Sequence, residues 1–153
     1  ELFDKPNIFE LDLHDEKLRN KSAELAEVHD SLGPALVECA KVSLPNLHLC
    51  SAPSSIKFQH NRGGGGCFPW HFDNPGPPSK RQLTCIFYLN LDWKQGDGGE
   101  VVCWPFLSAP VAIAPKFDRM VVFRSDLVLH RVLPSQAQRF CFTVWMDGSQ
   151  VNG

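Results

Sequence analysis

The 153-residue sequence predicts a mainly β domain of the α+β class, with N-terminal helices packed on one sheet of a jelly roll. Apolar residues recur at helical spacing before residue 45, and short β-type runs separated by Gly and Pro clusters follow from residue 55. Apolar residues make up 43% of the chain and charged residues 21%, which fits one globular domain with its own core. We predict that residues 1–54 form a helical support segment and residues 55–153 the β core of the same domain.

The first predicted elements are helices. Four apolar residues recur at helical spacing, namely Leu18, Leu25, Val28 and Leu32. The acidic pair Asp15-Glu16 would complement the positive end of a helix that starts there. Gly33-Pro34 predicts an interruption, after which residues 35–42 predict a second helix that ends at residues 43–45.

Eight β-type runs follow the helices. They cover residues 56–60, 67–72, 83–91, 100–105, 110–113, 120–124, 128–133 and 140–146. Eight is the number of strands in a double-sheet jelly roll. Because the helices precede the strands and do not alternate with them, the pattern argues against a Rossmann-like arrangement.

Composition and charge exclude several classes of function. The net charge is −2, so nothing in the overall balance predicts nucleic-acid binding. The acidic charge is concentrated in residues 1–30, whose net charge is −5, and the remainder carries +3. No window approaches eighteen unbroken apolar residues, so we expect no membrane span. The first residue is Glu1 and not Met, so we expect the sequence to be part of a longer chain.

The six cysteines predict an intracellular protein. None forms a CxxC pair, which argues against a zinc ribbon. Cys85, Cys103 and Cys141 each lie in an apolar strand-like run, where a free thiol behaves as a small hydrophobic group. We therefore expect reduced, buried thiols and a cytoplasmic or nuclear location, although three disulfides in a secreted protein are the alternative.

Two histidines and a carboxylate form the first candidate site. In His71-Phe72-Asp73, residues two apart on a strand point to the same face, so the imidazole and the carboxylate would meet. His130 lies in an apolar run, where a buried imidazole needs a polar partner or a metal. Taken singly, these residues also fit a surface histidine beside a turn and a core histidine. Together they match the facial triad of non-heme Fe(II) oxygenases.

Arg139 adds a second kind of recognition. It opens an otherwise apolar strand, where a guanidinium is costly unless it reaches solvent or meets an anion. Its planar fork matches a carboxylate. Thr143 and Trp145 have the same parity on this strand, so they would face the same interior.

The stretch from Ile56 to Asp147 resembles the 2-oxoglutarate/Fe(II)-dependent dioxygenases, and within them the prolyl 4-hydroxylase-type catalytic domains, including the oxygen-sensing prolyl hydroxylases. The matching motifs follow the family order over roughly sixty per cent of the chain, 92 of 153 residues. They are His71-Phe-Asp-Asn-Pro75, residues 84–90 with Asp92-Trp93, Gly98-Gly-Glu100, residues 115–119 and 123–126, His130, and residues 139–145. The fold that the resemblance implies is a double-stranded β-helix, which agrees with the strand count.

The resemblance implies an activity and its cofactors. A C–H bond of a peptidyl, prolyl-type substrate would be hydroxylated while 2-oxoglutarate and O₂ are consumed and succinate and CO₂ are released. Fe(II) would be bound by His71, Asp73 and His130, and L-ascorbate would serve as reductant. Arg139 would pair with the distal carboxylate of 2-oxoglutarate, to which Tyr88 would add a hydrogen bond.

The same resemblance places further residues. Thr143 would hydrogen-bond the cosubstrate or a metal-bound water. Trp145, Arg81 and Lys80 would contact the substrate, with residues 74–80 as a mobile loop over the cavity mouth. The sequence departs from the family pattern on the first core strand, where Gln59 or His60 replaces a tyrosine that faces the cosubstrate.

Three other functions remain open at this point. One is a non-enzymatic, cupin-like module that binds a metal or ligand, and another is an interaction domain with an inactive site. The third is an oxygenase of the same fold that acts on nucleic acid or a small molecule.

Overall fold

The computed structural model describes residues 6–149, which form nine strands and two helices. In chain order they are β1 (Ile8–Asp12), α1 (Glu16–Arg19), α2 (Ala23–Ser43), β2 (Ser55–Asn61), β3 (Gly66–His71), β4 (Arg81–Tyr88), β5 (Val101–Trp104), β6 (Val111–Ile113), β7 (Met120–Arg124), β8 (Leu129–Ser135) and β9 (Arg139–Asp147).

The strands form two antiparallel sheets. The major sheet has the order β1-β2-β9-β4-β7, and the minor sheet has the order β3-β8-β5-β6. Strands β2 to β9 correspond to the eight predicted β runs, and the predicted double-stranded β-helix is confirmed. Strand β1 was not predicted, because the sequence analysis places only helices before residue 55. Glu10 and Asp12 interrupt its apolar pattern, and backbone pairing with β2 makes it a strand.

Side chains alternate between two environments along the central strand β9. Phe142, Val144 and Met146 belong to the apolar cluster that the major sheet shares with Leu36 and Ala40 of α2. The intervening residues face the minor sheet, where a second apolar cluster contains Cys141. The two-residue period of a strand therefore separates a face packed on the helices from a face turned toward the interior.

Helix α2 is continuous through Gly33-Pro34, so the predicted interruption there is wrong. The break falls earlier, at residues 20–22, where the side chain of Ser22 caps α2 by accepting from the Leu25 amide at 3.3 Å. An interior proline costs a helix about 3 kcal/mol. Burial of Leu36 and Ala40 after the proline anchors the helix to the sheet and opposes that cost.

The six cysteines are free, and the three predicted to be buried are buried. Burial raises the pKa of Cys85 to about 12 and that of Cys103 to about 11, so both thiols stay protonated. Within residues 6–149, neither helix has the length and apolar character needed to cross a membrane.

Replacement of Gly33 by alanine is expected to destabilise the fold, although alanine favours helix. An added Cβ would overlap the Ser51 carbonyl oxygen and lie 2.7 Å from Cδ of Pro53. We expect Gly33→Ala to lower the free energy of unfolding by about 1–3 kcal/mol, measured by urea denaturation. Ser31→Ala, at an exposed position of the same helix, is the control and should not lose stability. Unchanged stability of Gly33→Ala would show that the 51–53 segment moves without cost.

Candidate active site

A cavity of about 710 Å³ opens between the two sheets. Strands β2, β4 and β9 of the major sheet and β3 and β8 of the minor sheet contribute side chains to it, and Glu10 of β1 reaches it as well. His71, Asp73 and His130 lie in this cavity, and so does Arg139. The fold thus brings together the residues that the sequence singles out for metal and anion binding.

The two histidines are brought together by strand pairing. His71 ends β3 and lies directly opposite His130 of β8, with ring centroids 4.2 Å apart. The Asp73 Oδ1 atom is 3.4 Å from Nε2 of His71 and 3.8 Å from Nε2 of His130. One ligand atom from each residue lies within 4.8 Å of the others. Ligand atoms about 2.0–2.2 Å from one metal have separations of this order, so the group is suited to a single ion.

Backbone carbonyls orient both imidazoles. Nδ1 of His71 is 2.8 Å from the Pro69 carbonyl, and Nδ1 of His130 is 3.3 Å from the Val128 carbonyl. A carbonyl only accepts, so each Nδ1 carries the hydrogen and each Nε2 is turned toward Asp73 with its lone pair. This is the tautomer in which Nε2 can bind a metal.

The ionisation of the site favours metal binding. Burial by itself raises the pKa of Asp73, but a hydrogen bond from His71 and the charge of His130, both present only when these imidazoles are protonated, lower it to about 2 together with hydrogen bonds from Thr84 and Trp145. Burial lowers the pKa of His130. At neutral pH, Asp73 is therefore an anion and His130 a neutral imidazole, which are the forms that bind a cation.

Arg139 is a buried cation without a carboxylate partner in the described part of the chain. Only 2% of it is exposed, and no salt bridge involves it. Its Nε donates to the Gly99 carbonyl at 2.9 Å, and its Nη1 donates to the Cys141 sulfur at 3.2 Å. Neither acceptor carries the charge that compensates a buried guanidinium, so the site is suited to an anionic ligand.

Tyr88 lies beside this guanidinium, which is 5.1 Å from the centre of its ring. Its buried hydroxyl has no hydrogen-bond partner among residues 6–149, and Tyr88 is not one of the residues that line the cavity wall. Burial raises its pKa to about 12, so the hydroxyl retains its proton and can donate. The Tyr88 hydroxyl and the Arg139 guanidinium, which has no counterion among the described residues, are together suited to bind a carboxylate.

The first core strand resolves the choice between Gln59 and His60. Gln59 lines the cavity, whereas the ring of His60 stacks on Phe140 at 4.3 Å outside it. Gln59 donates to Glu10 Oε1 at 2.9 Å and accepts from Cys141 at 3.3 Å. Of the two residues, Gln59 is therefore the one that faces the cavity.

Two further polar residues line the cavity, Lys57 and Glu10. Sequence reasoning considered Lys57 only as a second candidate for the anion anchor, and it missed Glu10. The alternation of β2 could have placed Lys57 on the same face as Gln59. Glu10 carried no comparable signal, because its position depends on the pairing of β1 with Gln59 of β2.

The loop that follows Asp73 reaches the cavity through Pro75. Asn74 joins its two ends, because its Nδ2 donates to the Arg81 carbonyl at 2.6 Å and its Oδ1 accepts from the Gly76 amide at 2.9 Å. The Arg81 guanidinium lies 4.6 Å from the ring centre of Trp145, and both side chains line the cavity. Lys80 is exposed and lies outside the residues that line it. Thr143 faces the cavity, as its parity with Arg139 predicts.

Comparison with known proteins identifies the family. The family-wide sequence profile of the 2OG-Fe(II) oxygenase superfamily matches residues 56–147. A solved prolyl 4-hydroxylase from Phytophthora capsici is 51% identical with a TM-score of 0.84, over 95% of this chain and 49% of that one. A prolyl hydroxylase from Trichoplax adhaerens, solved in complex with a peptide fragment of the hypoxia inducible factor oxygen degradation domain, is 27% identical with a TM-score of 0.74, over 92% and 61% of the two chains.

Among curated proteins, Egl nine homolog 1 of Rattus norvegicus is 43% identical over 86 residues, which are 54% of this chain and 25% of that protein. The chain thus spans about a quarter of this relative and about half of the Phytophthora protein. Because the family profile covers more than half of its residues, the chain belongs to the 2OG-Fe(II) oxygenase superfamily.

Proposed function

We propose that this chain is an Fe(II)- and 2-oxoglutarate-dependent dioxygenase that hydroxylates a C–H bond of a peptidyl, prolyl-type substrate. The observation that carries the proposal is a buried, uncompensated Arg139 in the same cavity as His71, Asp73 and His130. Arg139 is suited to bind a carboxylate, and the group of His71, Asp73 and His130 is suited to bind a metal. 2-Oxoglutarate offers one group to each.

The donor set fits Fe(II). Two imidazole nitrogens and one carboxylate oxygen on one side of an ion leave three positions open, as in non-heme Fe(II) oxygenases. When bound, Fe(II) with 2-oxoglutarate and O₂ supplies the oxidation that converts C–H to C–OH and releases succinate and CO₂, with L-ascorbate as reductant.

The protein's own residues have three tasks in this proposal. Arg139 pairs with the distal carboxylate of 2-oxoglutarate, and Tyr88 donates a hydrogen bond to the same group. The cavity walls exclude water from the reacting end, where Thr143 offers a hydroxyl. The loop at residues 74–80 and Arg81 orient the substrate at the mouth. No side-chain nucleophile is needed.

The peptidyl substrate is supported by the relatives and by the mouth. The Phytophthora and Trichoplax proteins are prolyl hydroxylases, and the latter was solved with a peptide. The mouth combines the apolar side chains of Phe72 and Pro75 with the cationic Arg81, a surface suited to a chain segment that carries a ring and backbone carbonyls. Arg139 argues against a simple cupin-like module, because a module that binds only a metal needs no buried anchor for a carboxylate. The free cysteines support an intracellular location as part of the same proposal.

Loss of any metal ligand should abolish turnover. We expect His71→Ala, Asp73→Ala and His130→Ala each to lose Fe(II) binding and 2-oxoglutarate consumption while the circular dichroism spectrum stays that of the folded domain. Asp73→Glu should also be poor, because its extra methylene moves the oxygen by more than the roughly 0.2 Å that a ligand distance tolerates. Full turnover of His130→Ala with iron supplied would contradict the assignment of the triad.

Loss of the anion anchor should affect the cosubstrate far more than the metal. Leaving a buried carboxylate unpaired costs about 3–5 kcal/mol, so Arg139→Ala should weaken 2-oxoglutarate binding by about 150- to 5,000-fold, measured anaerobically by calorimetry. Arg139→Lys should recover only part of the affinity, because an ammonium cannot reproduce the planar fork.

Unchanged 2-oxoglutarate affinity in Arg139→Ala would place the anchor elsewhere. Lys57 would then be the candidate, since it also lines the cavity. Arg124 is a weaker candidate, because it already forms a two-fold hydrogen-bonded pair with Asp126 at 2.9 and 2.7 Å.

Charge reversal at the cavity mouth should separate substrate binding from cosubstrate binding. The double change Lys80→Glu with Arg81→Glu should strongly slow hydroxylation in a proline-containing peptide library, yet leave peptide-independent 2-oxoglutarate decarboxylation nearly unchanged. Because Arg81 lines the cavity and Lys80 does not, Arg81→Glu alone should reproduce the loss. Lys80→Glu, with the same change of charge one residue away, is the matched control. Equal losses in both rates would indicate a folding defect, and no loss would indicate a solvated basic pair.

A further inference from the structure

The two carboxylate oxygens of Asp73 have different surroundings. Oδ1 is the atom that faces the histidines. Oδ2 accepts two hydrogen bonds, one from the Thr84 hydroxyl at 2.7 Å and one from the Trp145 indole N–H at 2.9 Å. One oxygen is thus turned to the metal position and the other is engaged by protein donors.

The direction of the hydrogen bonds at Thr84 follows from a count of hydrogens. Its single hydroxyl hydrogen is given to Asp73, which as an anion can only accept. The Ser125 hydroxyl lies 2.8 Å from the Thr84 oxygen, so Ser125 must be the donor of that contact. Thr84 and Ser125 are both completely buried, and water does not compete with this chain of hydroxyls.

Trp145 holds the carboxylate from a second strand. It lies on β9 directly opposite Thr84 of β4, so one rung of the major sheet supplies both donors. Its ring is covered on the mouth side by Arg81. Asp73 itself follows β3 of the minor sheet, and these contacts therefore link the two sheets at the metal position.

We infer that Thr84 and Trp145, supported by Ser125, are positioning residues that hold Asp73 as a one-oxygen metal ligand. We call these three residues the Asp73 clamp. With Oδ2 engaged by two donors, the carboxylate cannot turn to offer both oxygens to one ion, and three coordination positions stay open for the cosubstrate and O₂. The inference rests on the proposed function, because it assumes a metal between His71, Asp73 and His130.

The test measures Co(II) binding to the full chain by anaerobic calorimetry and visible absorption, apart from turnover. Thr84→Val and Trp145→Phe keep shape and remove one donor each, and we expect each to weaken Co(II) binding by about 10- to 100-fold. Their Co(II) absorption spectrum should also shift, because the released Oδ2 can then occupy one of the positions otherwise left open. Thr84→Ser retains the hydroxyl and should stay close to the wild type.

Trp93→Phe is the matched control for Trp145→Phe, because the Trp93 N–H donates to the Gly98 carbonyl at 2.9 Å, in the loop between β4 and β5. Co(II) affinities of Thr84→Val and Trp145→Phe equal to that of the wild type would overturn the clamp, as would an equal loss in Trp93→Phe. Urea unfolding of the metal-free chain shows whether Thr84→Val is folded. If it is not, the Co(II) affinities of Trp145→Phe and Thr84→Ser test the clamp. Failure of the wild type to bind Co(II) or Fe(II) would instead refute the proposed function.

Discussion

The alternation of side chains along β9 is the constraint on which both the core and the site depend. The strand is central in the major sheet, with β2 on one side and β4 on the other. Val144 and Met146 are fully buried in the cluster beneath α2, while Arg139, Thr143 and Trp145 line the cavity. A shift of register by one residue would turn the guanidinium of Arg139 toward the helices and remove it from the cavity.

Two buried charged side chains, Asp73 and Arg139, line the cavity, and their hydrogen bonds compensate their charges to different degrees. Asp73 receives hydrogen bonds from Thr84 and Trp145. Although burial raises its pKa, His71 and His130, followed by these two donors, lower the pKa to about 2. Arg139 has backbone and thiol acceptors only. One ligand can meet both requirements if it carries a distal carboxylate and also chelates a metal. Its carboxylate would neutralise the charge of Arg139, and its other end would fill the open metal positions. In the proposed function the Asp73 clamp would keep those positions open, and both ends of the cavity would then bind the same molecule.

The features with a local period could be predicted from the sequence. Helical spacing places Leu18, Leu25 and Leu32 against the core, and strand parity places Thr143 and Trp145 with Arg139. The eight β runs and the triad followed from the same kind of pattern and from the family resemblance.

Features that depend on distant contacts could not be predicted in this way. Helix α2 passes through Pro34 because residues beyond it pack on the sheet, which propensity does not record. Strand β1 exists through its pairing with β2, and Gln59 could be distinguished from His60 only once that register was known. The contact between Trp145 and Asp73 joins residues 72 positions apart, so no sequence window contains it.

The most direct test of the central claim is the measurement of succinate and hydroxylated peptide in one reaction. The chain, Fe(II), 2-oxoglutarate, O₂ and a proline-containing peptide library should yield the two products in equal amounts, detected by mass spectrometry. Omission of Fe(II) should abolish both. A chain that binds Fe(II) and 2-oxoglutarate tightly but releases no succinate with or without peptide would contradict the account and would identify a binding module on the oxygenase fold.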